Sequence, residues 1–393
     1  MDTQIARRFW GERRKLTLGY AALFAGLALL LFLHPGSLPR NYSAVEAGSV
    51  QSASSLHAIL NNPLHAPYKL LVYVLSLGIH RNFVVARLAA MILGLGTLSI
   101  FSLLLHTWYT RRTAVLGTIL FGCSAWFWHV ARLGTPDVET FGLIALTAAV
   151  VWARRTHQPL AWLSCIFLAA SLLYVPGMIW FLGIGALWQI RTFGGLAWQR
   201  RWVSLAGGAL AILGLAPLAW GLTRSPALIK IWLGWPYHWM SLTHTVRSIV
   251  AVPFHVVLRG PDDPLRWLGH LPMLDVFASV MLIVGLYTFL AQSRRLAVGF
   301  TILLGLSCIL IGIGSVPLAI LAPGLYVVIA GGIQELSRRW LTVFPRNPIA
   351  RRVGLGLLTI AVLTTSIYNI RAYFVAWQQA ADTHSTFSVE NKR

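Results

Sequence analysis

The sequence predicts an all-α polytopic membrane protein, and three observations carry that prediction. Of its 393 residues 57% are hydrophobic and only 11% charged. The apolar residues gather into runs near the roughly 20 residues that a helix needs to cross a hydrocarbon core. The basic residues fall between these runs, in pairs such as Arg111-Arg112, Arg154-Arg155, Arg200-Arg201, Arg294-Arg295 and Arg338-Arg339. Such a composition excludes a soluble globule of this size. Lys plus Arg number 32 against 11 Asp plus Glu, a formal net charge of +21, which in a soluble chain would point to nucleic acid. In a polytopic protein the same excess is an orientation signal, because cytoplasmic loops collect Lys and Arg, so no nucleic-acid partner is expected. Cys123, Cys165 and Cys308 stand far apart inside apolar runs and predict neither a disulfide framework nor a zinc site.

The runs lie near residues 16–33, 83–106, 113–131, 138–153, 202–222, 275–291, 296–313, 316–333 and 353–370. A further stretch from Pro159 to Ile190, interrupted at Tyr174-Val175-Pro176-Gly177, reads as two short helices meeting at a tight turn, which brings the count to about eleven. The first run follows Arg7, Arg8, Arg13, Arg14 and Lys15 but exits through His34-Pro35-Gly36-Ser37 without a cleavage pattern, so it is expected to be an uncleaved anchor. With the N-terminus inside, the inside segments hold 19 Lys/Arg in 60 residues and the outside segments 12 in 135. The expected location is therefore the plasma (inner) membrane, with a cytoplasmic N-terminus. Residues 1–370 form the membrane domain, with outer segments 34–82 and 223–274, and 371–393 a polar tail. No internal repeat of fixed period and no Walker-type loop is found.

Acidic residues are scarce enough to weigh singly. Glu46, Asp137, Glu139, Asp262, Asp263 and Asp275 fall on the predicted outer side. Glu46 lies in Tyr42-Ser43-Ala44-Val45-Glu46, at the start of a short helix expected to run to Ile59 with Ser43 as N-cap. It is either a solvated first-turn carboxylate, favoured there by the helix dipole, or a functional acid. Asp137, in Arg132-Leu133-Gly134-Thr135-Pro136-Asp137, is either a helix cap, with Arg132 within reach as an ion-pair partner, or a site residue. Arg87, one turn inside its span, either snorkels or supplies a bidentate partner to a carboxylate or phosphate. His65 and Lys69 flank a proline in Asn61-Asn62-Pro63-Leu64-His65-Ala66-Pro67-Tyr68-Lys69, before an apolar run, 70–79, that is too short to span and suits an interface helix. A lone Lys there also serves as a membrane-surface anchor. In the second outer segment Trp232, Trp235, Tyr237, His238 and Trp239 read as an interfacial belt, and Asp262-Asp263-Pro264 as a turn. No motif supports a metal; a divalent cofactor is left open.

This order of features resembles the GT-C superfamily of integral membrane glycosyltransferases, in particular the protein O-mannosyltransferase and lipid A aminoarabinose transferase group. The features are a basic N-terminus, a span, an outer loop with an acid and a short helix, Asn62 to Lys69, Ala86-Arg87-Leu88, inside Arg111-Arg112, and Ala131 to Asp137. They cover residues 1–155 well and the rest mainly in its multi-span character. The resemblance implies a GT-C bundle and transfer of a sugar from a polyprenyl-phosphate donor to a glycan, lipid or protein acceptor. It puts Glu46 and Asp137 in the places of the family's two acids, the first of which acts as base or orients the acceptor. Since such a transfer needs a base and cations near the phosphate, Glu46 is the expected base and His65, Lys69, Arg87 and Arg132 are the phosphate-side candidates. The chain departs from the family where Glu46 stands alone in place of an Asp, and where His65-Ala66-Pro67-Tyr68 replaces a Lys-Pro-Pro-Leu-like run. The competing expectations are a transporter or flippase of a lipid-linked or anionic molecule, and a noncatalytic envelope-assembly partner.

Overall fold

The computed structural model describes residues 19–35, 41–79, 83–156, 158–236, 241–261, 270–292 and 294–389. The basic N-terminal cluster, Tyr237-His238-Trp239 and Asp262-Asp263-Pro264 lie outside the described residues. In chain order the helices are α1 Gly19–Leu31, then α2 Ala44–Ser52, α3 Leu56–Asn61, α4 Ala66–Gly78, α5 Phe83–Trp108, α6 Arg111–Gly122 and α7 Ala125–Arg132. A 3₁₀ turn, Pro136–Phe141, leads into α8 Gly142–Thr156, followed by α9 Pro159–Leu172, α10 Met178–Trp188, α11 Ile190–Gln199 and α12 Arg201–Arg224. The remainder are α13 Pro226–Trp232, α14 Leu242–Val257, α15 Val276–Gln292, α16 Arg294–Gly312, α17 Leu321–Val343, α18 Pro348–Arg371, a π-turn Ala372–Trp377, and α19 Ala381–Thr386.

Among the described residues every predicted apolar run is helical over most of its length, although not every helix is long. Five helical stretches among the described residues are long and apolar enough to cross a membrane, a sixth is the bent pair α6–α7, and seven apolar helices are shorter. The interruption at Tyr174 to Gly177 separates α9 from α10, with Gly177 at φ +74°, a backbone region open to glycine without steric penalty. One expected helix divides. The segment from Ser43 to Ile59 breaks after Ser52, because the Ser55 hydroxyl accepts the Ala58 N–H and starts α3 as a new N-cap.

The bundle centres on α17 and α5, whose apolar windows are 78% and 56% buried, whereas α12 is 11% buried and faces its surroundings. α15 and α17 pack backbone to backbone. A Cβ on Gly285 would meet the Val328 carbonyl, and one on Gly332 the Met281 carbonyl, so small residues set this approach. α6 and α7 meet at 58°. Ser124 caps α7 by accepting the Phe127 N–H at 3.4 Å, and Asn369 Oδ1 on α18 accepts the Ala125 N–H at 3.3 Å. Asn369 Nδ2 in turn donates to Asp275 Oδ2 at 3.0 Å, while Asp275 Oδ1 caps α15 through the Ala278 N–H. A break inside a membrane bundle leaves backbone groups that need such partners.

The segments that the charge count assigns to one side meet at one end of the bundle. His65 N–H donates to Tyr174 O, Gly177 N–H to Trp232 O, and Ser315 Oγ to Gly234 O. Tyr42 and Val389 exchange two hydrogen bonds in an isolated antiparallel bridge. Residues 372–389, expected as a polar tail, thus fold back: Trp377 stacks on Tyr373, lies edge-on to His129, and meets the buried Phe387. The basic connections meet at the other end, where Arg155 donates to Thr107 O and Gln334 accepts the Thr110 N–H.

Candidate functional site at one end of the bundle

Glu46 starts the site. Ser43 and Glu46 form a reciprocal capping box at the N-terminus of α2, with the Glu46 N–H on Ser43 Oγ and the Ser43 N–H on Glu46 Oε2. The carboxylate then reaches two other elements. Arg87 Nε donates to Oε1 at 2.8 Å and Nη2 to Oε2 at 3.1 Å, a bidentate pair in which neither side chain has any exposure. The Gly134 N–H donates to Oε1 at 2.9 Å. Arg87 also gives hydrogen bonds to the Pro35 and Asn41 carbonyls, and its Cζ lies 4.3 Å from the Tyr42 ring centroid. Glu46 is therefore a saturated internal tie between the first loop, α5 and the turn before Asp137. It is not the solvated carboxylate that the sequence offered as one reading, and N–H donors occupy both of its oxygens. Arg87 does not snorkel, since its guanidinium turns inward to the pair.

Arg132 also turns inward. Nη1 donates to the Leu30 and Leu31 carbonyls and Nη2 to that of Leu33, which places a cation on the C-terminal carbonyls of α1. Its Cζ lies 5.0 Å from the Phe374 ring. The expected local pair between Arg132 and Asp137 is absent, because the carbonyls of α1 claim the guanidinium. Asp137 is not a helix N-cap either; Thr135 holds that position, and Asp137 sits in the first turn of the 3₁₀ helix. Its half-buried carboxylate has no hydrogen bond or ion pair among the described residues.

Glu139, two residues on, is a participant that the sequence reading passed over. One of its oxygens lies 2.7 Å from His65 Nδ1, and the other accepts the Tyr68 N–H at 2.7 Å, closing the N-terminus of α4. The signal available was position: it is a second acid in a segment that has few. His65 begins α4 in the left-handed region, φ +59°. Lys69 lies one turn further on, nearly buried, with Nζ donating to Asn62 O at 2.7 Å. Burial pushes its amine down to about 8, against the opposing pull of Glu139. Beside α3 and α4 opens an apolar cavity of about 430 Å³ lined by Leu56, Ile59, Pro63, Pro67, Tyr174 and Pro217. All six expected site residues thus gather at one end of the bundle. The described residues contain no cluster of three or more His, Cys, Asp or Glu suited to a metal.

No family profile and no curated protein matches the chain by sequence. Solved structures do match by shape. ArnT from Cupriavidus metallidurans in the apo state superposes with a TM-score of 0.60 at 14% identity, over 95% of this chain and 78% of that one. ArnT from the same organism bound to undecaprenyl phosphate gives a TM-score of 0.56 at 15% identity, over 94% and 77%. The all-α polytopic bundle expected from the sequence is therefore found, and along nearly the whole chain it has the fold of ArnT.

Proposed function

We propose that this chain is an integral membrane glycosyltransferase that moves a sugar from a polyprenyl-phosphate donor to a glycan, lipid or protein acceptor on the extracytoplasmic side. The observation that carries the reading is the coupling of its two acids. Glu46 grips Gly134, three residues from Asp137, and leaves Asp137 as the carboxylate of the pair without a partner among the described residues. The fold shared with ArnT, one structure of which holds undecaprenyl phosphate, supports a lipid-linked donor. The apolar cavity beside Lys69 is suited to the first isoprene units of such a lipid.

The chemistry asks little of the protein. The acceptor's oxygen or nitrogen forms a bond to the sugar's anomeric carbon, the bond to the phosphate oxygen breaks, and the electron pair leaves with the polyprenyl phosphate. Asp137 takes the acceptor's proton, a role that contributes about 10²–10⁴ in rate. Glu46, Arg87 and Arg132 hold the frame, and Lys69 and His65 face the phosphate. Protein in proteoliposomes, given radiolabelled polyprenyl-phosphate mannose or aminoarabinose, is expected to release free polyprenyl phosphate. Movement of intact lipid between leaflets without cleavage would establish a flippase instead.

A further inference from the structure

His65 is held in a way that phosphate attraction alone does not require. Its backbone sits at φ +59°, a strained region for a side-chain-bearing residue, and such strain concentrates at functional sites. Three contacts keep it there: its N–H donates to Tyr174 O at 2.9 Å, Nδ1 meets Glu139 Oε2 at 2.7 Å, and the other Glu139 oxygen is pinned by the Tyr68 N–H. The carboxylate is the inner member and the imidazole the outer one, with side-chain exposures of 7% and 21%. An ionised carboxylate only accepts, so Nδ1 carries a proton toward Glu139 and Nε2 is the nitrogen left for a substrate. Ala66 and Pro67, next in the chain, line the apolar cavity, and Lys69 follows at i+4 on the same face of α4.

We infer that His65, oriented by Glu139, is the general acid that protonates the departing phosphate. The inference rests on the glycosyltransfer reading above. As the bond between the anomeric carbon and the phosphate oxygen breaks, the imidazolium gives its Nε2 proton to that oxygen and keeps the Nδ1 proton on Glu139, while the acceptor's proton goes to Asp137. Solvent then returns a proton from Asp137 to His65, so the cycle balances without a further reactant. Glu139 is a positioning residue that acts through His65. Among the described residues the imidazole is paired with Glu139, Asp137 stands two residues before it on the same 3₁₀ turn, Lys69 follows His65 one turn along α4, and from the α9–α10 connection Tyr174 O accepts the His65 N–H.

The test uses the full chain in proteoliposomes with radiolabelled polyprenyl-phosphate mannose and aminoarabinose. His65→Gly suits the left-handed backbone, so it keeps the local fold and leaves room for free imidazole. Its kcat is expected to fall by about 10²-fold or more, with recovery of at least tenfold on adding imidazole and binding of undecaprenyl phosphate changed less than about threefold. The wild-type kcat should decline as pH rises, and His65→Gln should run at a low rate without that decline. Glu139→Gln should lower kcat without raising KM. Turnover of His65→Gly within twofold of wild type, loss without imidazole rescue, or loss of undecaprenyl phosphate binding in parallel with rate would each overturn the assignment. A wild-type chain that cleaves neither donor would overturn the glycosyltransfer reading itself.

Discussion

Arg87 and Arg132 have the same appearance in the sequence, each an arginine near the end of a helix. The fold uses both as internal ties, one on Glu46 and one on the carbonyls of α1. Removing one partner of a buried ion pair leaves an uncompensated charge, so Glu46→Ala should lower stability by about 3–5 kcal/mol, read as a lower melting temperature in detergent. Asp137→Asn removes no hydrogen bond among the described residues, and its stability, read from the melting temperature, should stay within about 0.5 kcal/mol of wild type. Lys69 carries its charge below about pH 8 and loses it above. If it holds the donor phosphate, binding of undecaprenyl phosphate should weaken as pH rises through 8, and Lys69→Met should bind weakly with no such dependence. These residues were legible as candidates because acids and isolated cations are rare in this chain. Their roles were not, since the partners of Glu46 at Arg87 and Gly134 lie 41 and 88 positions away.

At the scale of elements, apolar length and the turn at Tyr174 to Gly177 marked the helices well. The bend between α6 and α7 was harder to see, because no proline marks it. It depends on Ser124 and on Asn369 from α18, which only tertiary packing brings together. Asn369→Leu strips a partner from both the Ala125 N–H and Asp275 Oδ2, at about 1–3 kcal/mol for each buried group. Thermal denaturation should register that loss, with impaired turnover because α7 leads into the Asp137 turn. Gly332→Ala drives a methyl into the Met281 carbonyl and forces α15 and α17 apart. A destabilisation of about 1–3 kcal/mol is expected, typical of overpacking.

For the whole molecule, the +21 charge separates into two ends with different chemistry. One gathers the basic pairs, and the other gathers Glu46, Asp137, Glu139 and the cations beside them. Residues 372–389 join the second end through Tyr42, whose ring lies under Arg87. Removing residues 381–393 should therefore speed amide hydrogen exchange at residues 41–46 while leaving exchange in α17 unchanged. The account stands most directly on Asp137. Release of polyprenyl phosphate from a radiolabelled lipid-linked sugar should be about 10²-fold slower or worse in Asp137→Asn than in wild type, with equal melting temperatures and equal binding of undecaprenyl phosphate. Release at the wild-type rate by a folded Asp137→Asn protein would contradict it.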